Sequence, residues 1–182
     1  MTRVPLINPD DTSAERRELL ADIRSAFGMT PNMFRAVANS PAALRSMWGA
    51  FTALGGGVIP AELGEKIAVA IADHNHCEYC LSAHTLLGKQ AGASAEEMAD
   101  AQDARSQDPA TAAALAFVVK LVRERAQVDT DDIDRLRTAG FDDQEIVEII
   151  AHAALNLFTN YVNVALQVPL DFPKITLAGA AA

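Results

Sequence analysis

Between Pro60 and Gly92 two apolar helical patterns flank the polar tetrapeptide Asp73-His74-Asn75-His76, and a helical hairpin is the simplest way to fold them. Ile67, Ala68, Ile71 and Ala72 recur at helical spacing. Pro60 suits a first helical position, where its missing N–H costs nothing. A helix over 60–72 is therefore predicted. A second begins near Cys77 and ends before Gly92, a glycine placed to take the left-handed conformation after a helix.

Both cysteines of the chain lie in this hairpin, two residues apart, and three of its four histidines lie within eight residues of them. Helical spacing puts Cys77 and Cys80 on one face and His84 one turn beyond Cys80. Glu65 precedes residue 75 by ten positions and His84 follows it by nine. At roughly 1.5 Å per residue the two arms nearly match, so the carboxylate faces the imidazole across the hairpin. Thiol, base and orienting acid in this register are the general layout of an activated nucleophile.

Three chemistries compete for the cluster. The favoured one is redox or peroxidatic. A cysteine at a helix N-terminus is acidified by the dipole and the free N–H groups, and a second thiol one turn away resolves an oxidised sulfur to a disulfide. The second is structural zinc held by Cys77, Cys80, His84 and either His74 or His76, although this spacing is more compact than the usual two separated ligand pairs. The third is an inert pair of buried thiols. Nearness to His84 favours Cys80 as the attacking sulfur and position at the helix start favours Cys77, so the order stays open at this level. His74 and His76 read individually as hairpin-loop residues. Tyr79 is predicted to point away from the cysteine face and to pack.

The remaining 150 or so residues also read as helical. Alanine is abundant, aromatics make up only 5% of the chain, and strand-like runs are nearly absent, so the class expected is all-α. We divide the chain into an extended N-terminal arm (1–11), one domain of antiparallel helices (12–172) and a partly ordered, fraying C-terminal tail (173–182). Thr12 and Glu15 are spaced as a capping box for a helix ending at Gly28. Thr30-Pro31 and Ser40-Pro41 each open a helix, the second running to about 54 before the flexible run Gly55-Gly56-Gly57. Ser94 with Glu97, and Asp142 with Glu145, are further capping boxes. The matching strings around them read as convergent helix punctuation, with an internal repeat as the alternative. Asp108-Pro109 opens a helix to about 126, and Asp129 or Thr130 caps another ending at Gly140.

The last long helix, about 143–166, carries His152, Asn156, Asn160 and Asn163 as one polar stripe on an otherwise apolar surface. Exposed helix faces usually carry Glu, Lys or Arg, and this stripe has none. Buried amides need partners, so we read the stripe as a packed seam at a subunit interface or beside the site.

The net charge of −9 offers no basic surface for phosphates, which argues against nucleic acid and anionic membranes as partners. No apolar window of membrane-spanning length stands out, the N-terminus lacks a signal pattern, and a cytoplasmic location is expected. In that compartment a lone Cys-x-x-Cys is more often catalytic, redox-sensing or metal-binding than a structural staple.

The pattern Glu65-x11-Cys77-x2-Cys80-x3-His84 resembles the alkylhydroperoxidase D and carboxymuconolactone decarboxylase superfamily, most closely its peroxidase-related branch. The resemblance extends over roughly residues 12–172, including Thr-Pro-Asn-Met-Phe at 30–34 and Leu-Phe-Thr-Asn-Tyr-Val-Asn at 157–163. It implies an all-α fold, a homo-oligomer (a trimer, or a hexamer built from dimers), and reduction of a small hydroperoxide through the cysteine pair. An external thiol or protein reductant would restore the pair, with no metal or organic cofactor. Carried onto this chain, Cys80 attacks, Cys77 resolves, His84 deprotonates Cys80 and Glu65 orients His84. The founding alkylhydroperoxidases have a histidine between the cysteines where this chain has Tyr79. The rival readings are the superfamily's lyase chemistry on a small lactone acid, and a non-enzymatic oligomer that senses redox state through its disulfide.

Overall fold

The computed structural model describes residues 2–178 and is helical throughout, with no strand among the described residues. The first five helices are α1 (Ala14–Phe27), α2 (Asn32–Val37), α3 (Pro41–Gly55), α4 (Ala61–His74) and α5 (Glu78–Gln90). The chain continues through α6 (Ala95–Gln102), α7 (Pro109–Arg123), α8 (Thr130–Thr138) and α9 (Asp143–Leu166). The all-α expectation is met.

α4 is the centre of the molecule and packs against α5, α6, α7 and α9. Its sequence explains why. From Lys66 to Ala72 every residue is buried, because Ile67, Val69 and Ile71 alternate with small alanines and leave the helix apolar on all sides. α5 folds back on it through the turn at Asn75 and His76, which forms the expected hairpin. The helix begins at Ala61, with Pro60 as its cap, and runs two residues past the predicted end.

Most capping signals act where the sequence places them. Ser40 accepts from the Ala43 N–H, and Gly28 closes α1 with φ 73°. Ser94 with Glu97 and Asp142 with Glu145 form reciprocal capping boxes, as does Asp129 with Asp132. Three expectations fail. Ser13, not Thr12, precedes α1, and no side chain caps it, because Glu15 instead pairs with Arg45 of α3. α2 starts at Asn32 rather than Pro31. Its free Asn32 N–H donates to Asp171 Oδ2 at 2.6 Å, so a distant residue supplies the cap. α7 also stops short of 126, where Arg125 and Ala126 take positive φ.

The segments outside the helices are held as well. Arg3 N–H donates to the Leu166 carbonyl and Ile7 N–H to that of Arg35. Beyond α9, residues 168–178 run along α5. Ile175 N–H donates to Ser82 Oγ, Lys174 pairs with Glu78, and Ala178 N–H donates to Asp73 Oδ1. Frayed geometry is thus not found as far as 178, and residues 179–182 of the predicted tail lie outside the described residues.

α9 corrects another expectation. By length and composition it is apolar enough to cross a membrane, whereas no window of that length is expected from the sequence. In the fold its amides face inward and its outer side is apolar.

Candidate active site

The turn of the hairpin builds the cysteine end of the site. Cys77 N–H reaches back to the Ala72 carbonyl at 2.8 Å, His76 takes φ 54°, and Asn75 Nδ2 donates to Asn160 Oδ1 at 2.9 Å. Tied in this way to α9, the chain enters α5 with Cys77 as its N-cap, and Cys77 Sγ accepts from the Cys80 N–H at 3.3 Å. Cys77 and Cys80 are joined in a disulfide and are 1% and 2% exposed.

One turn along α5, His84 Nδ1 lies 2.7 Å from Glu65 Oε2 on α4. The matched arms therefore bring base and acid together as the register predicts. A carboxylate at Nδ1 fixes the ring and its tautomer, leaving Nε2 as the nitrogen free to take a proton. Gly88, one turn further on, keeps α5 close to α4 at this point. A Cβ there would sit 3.4 Å from that of Glu65 and 2.5 Å from the end of Met98.

Two cavities meet at His84. A front chamber of about 30 Å³ is lined by Cys80, Tyr79, Phe34, Phe51, Phe172 and Asn163, among others. A back chamber of about 150 Å³ is lined by Glu65, His152 and Asn156 with Leu54, Ile59 and Leu155. His84 and Phe51 belong to both. Cys80 opens on the front chamber and Cys77 does not, so the accessible sulfur is the one nearer His84.

Three contributors were missed or only half seen in the sequence. Asn163 Nδ2 donates to Cys80 Sγ at 3.2 Å, which places the amide stripe of α9 beside the site. Asn156, Asn160 and Asn163 are all buried, as the missing charges on that stripe implied. Tyr79 packs, as expected, but as a wall of the front chamber rather than away from it. Its hydroxyl accepts from the Met33 N–H at 3.2 Å and its ring meets Phe172 edge-on. Burial, reinforced by Asp171, pushes its phenol far above the usual range, so it is no proton donor to the site. Phe172, the last residue assigned to the helical domain, forms another wall.

The zinc set is not assembled. His74 and His76 are exposed at the turn, and His84 is engaged by Glu65. Among the described residues no group of three or more His, Cys, Asp or Glu side chains is placed to hold a metal ion.

Residues 38–124 match the carboxymuconolactone decarboxylase family. The solved structures that resemble this one include an uncharacterized peroxidase-related protein from Silicibacter sp. TM1040. It has a TM-score of 0.80 and 24% identity, covering 98% of this chain and 94% of that one. The fold is the alkylhydroperoxidase D-like one, and the stretch that matches the carboxymuconolactone decarboxylase family contains the whole hairpin.

A second peroxidase-related protein, an alkylhydroperoxidase AhpD core from Ralstonia eutropha JMP134, has a TM-score of 0.83 and 22% identity. It covers 93% of this chain and 92% of its own. The debrominase Bmp8 matches with a TM-score of 0.77 and 22% identity over 93% of this chain and 91% of its own. A cysteine-to-alanine variant of Bmp8 is also solved with 2,3,4-tribromopyrrole bound. At these identities the likeness carries the fold. No curated protein matches the sequence.

Proposed function

We propose that the protein is a thiol-dependent peroxidase acting on organic hydroperoxides. The observation that supports this most is the disulfide between Cys77 and Cys80, with Cys80 alone facing the front chamber and the Glu65–His84 pair one turn away. In the reduced protein His84 Nε2 takes the Cys80 proton, and the Asn163 amide steadies the thiolate. The thiolate attacks the terminal peroxide oxygen, the O–O bond breaks, and His84 returns the proton to the departing alkoxide. Cys77 then attacks the sulfenic sulfur of Cys80, expelling water and closing the disulfide. An external dithiol restores the pair.

Assembly as a homo-oligomer is part of this reading. The outer face of α9 supports it, because Val147, Ile150, Phe158, Tyr161 and Val164 form an exposed apolar stripe at helical spacing.

A second reading is reductive removal of halogen from a small aromatic ring. It is favoured by the aromatic wall of Phe34, Phe51, Tyr79 and Phe172 and by the likeness to a debrominase. The two thiols would supply two electrons and close the same disulfide, one proton going to the ring carbon and the halogen leaving as halide with the other.

Turnover of cumene hydroperoxide and of tribromopyrrole with dithiothreitol as reductant separates the two readings. Hydroperoxide consumption that Cys80→Ser abolishes is the expected result. Turnover of the lactone acid of the lyase branch that survives Cys77→Ser would overturn it.

A further inference from the structure

His152 is the histidine near the site that this chemistry leaves unused. It stands on α9 above Gly64 of α4, where a Cβ would lie 3.4 Å from its Cε1, so the glycine makes room for the ring. Its Nε2 is buried and has no hydrogen-bond partner among the described residues. The ring, Glu65, His84 and Asn156 line the back chamber together, whose volume of about 150 Å³ leaves room for several waters. The front chamber offers about 30 Å³ between mostly aromatic walls.

We propose that the back chamber is the proton port of the redox site, with His152 passing protons between water and the Glu65–His84 pair while the disulfide is being reduced. This rests on the reading of Cys77 and Cys80 as a thiol redox pair. Proton balance distinguishes the two halves of the cycle. During oxidation the Cys80 proton ends on the alcohol and the Cys77 proton leaves in water, so none need cross the protein boundary. During reduction a dithiol gives up two electrons and closes its own disulfide, shedding its two protons to solvent. Two S–H bonds form in the buried site, and two protons must enter it. The reductant then fills the front, which leaves the back open.

The charged groups around His152 suit a relay. Glu65 faces it from α4 and His84 from α5. Glu148, one turn earlier on α9, is held by the Val58 and Ile59 N–H groups. α3 contributes the apolar Phe51 and Leu54. Burial favours the neutral ring, so a proton received is passed on rather than kept.

The test is single-turnover kinetics of each half-reaction in His152→Ala and His152→Gln, with cumene hydroperoxide to oxidise and dithiothreitol to reduce. Reduction is expected to slow by roughly 10-fold in both variants, less than the roughly 10²-fold of a group that exchanges a proton directly with the reacting atom, while oxidation changes by less than about twofold. Added imidazole is expected to restore His152→Ala. Pyrazole, a ring of the same shape and far weaker basicity, is expected not to. Undiminished reduction in either variant, equal slowing of both halves, or equal rescue by pyrazole would overturn the proposal while leaving the thiol-redox reading intact. A wild-type protein that neither forms nor loses the disulfide would remove that reading, and the port with it.

Discussion

Asn163 stands 83 residues from Cys80 in the chain, yet its amide donates to the sulfur. A hydrogen bond to a charged acceptor contributes about 1.5–3 kcal/mol, so Asn163→Leu should raise the Cys80 thiol pKa by about one to two units. Thiolate absorbance at 240 nm against pH checks this, and an unchanged titration would remove Asn163 from the site. His152 gives a second prediction. Burial lowers its proton affinity in the fold, so below the ordinary histidine value near 6.5 the unfolded chain binds more protons than the native one. Its contribution to stability therefore falls as pH drops from about 6.5 to the lowered native value, and is flat below that. His152→Asn should flatten urea-unfolding stability across that window, and an unaltered slope would contradict the assignment. The sequence carried much of this scale. Glu65 and His84 were legible because the hairpin arms match, and the amide stripe because it lacks charges. Which sulfur faces the chamber was not legible, since residues from α1, α2, α3, α9 and the last segment decide it.

Among elements, the segment 168–178 matters beyond its length. It holds Phe172 against Tyr79 and Asp171 against the Asn32 N–H, and so covers the front chamber. A space of about 30 Å³ is too small for a bulky hydroperoxide, so this strap must yield for substrate to reach Cys80. Phe172→Ala should therefore speed alkylation of the reduced protein by iodoacetamide several-fold, and an unchanged rate would show that entry lies elsewhere. How far the order extends beyond 172 is not legible in the sequence, because the anchors are scattered side chains, Ser82, Glu78 and Asp73, with no periodic signal of their own. The same reason hid the cap of α2. Thr12 and Glu15 have capping-box spacing, but Arg45 competes for the glutamate across a helix pair. Helices whose caps are local, such as α6, α8 and α9, were read with little error. The aromatic cluster of Phe27, Phe34, Trp48 and Phe51 joins three helices and was invisible to a pass along the chain.

For the whole molecule, α9 connects site and surface. Its amide side holds the hairpin turn and Cys80, while Val147, Ile150, Phe158, Tyr161 and Val164 lie on its outer side. If that face joins copies of the chain, Tyr161→Glu with Phe158→Glu should reduce the mass found by light scattering to that of one chain, 19.4 kDa. A wild type already at that mass would remove the oligomer from the proposal. The central claim is that Glu65, His84 and Cys80 form one thiol-activating unit that closes a disulfide with Cys77. The most direct measurement is stopped-flow oxidation of the reduced protein by cumene hydroperoxide, with Cys80→Ser, His84→Ala and Glu65→Gln alongside. Rapid closure of the Cys77–Cys80 disulfide is expected, lost in Cys80→Ser and slowed roughly 10²-fold in the other two. Oxidation no faster than that of a free thiol, with the variants matching wild type, would contradict it.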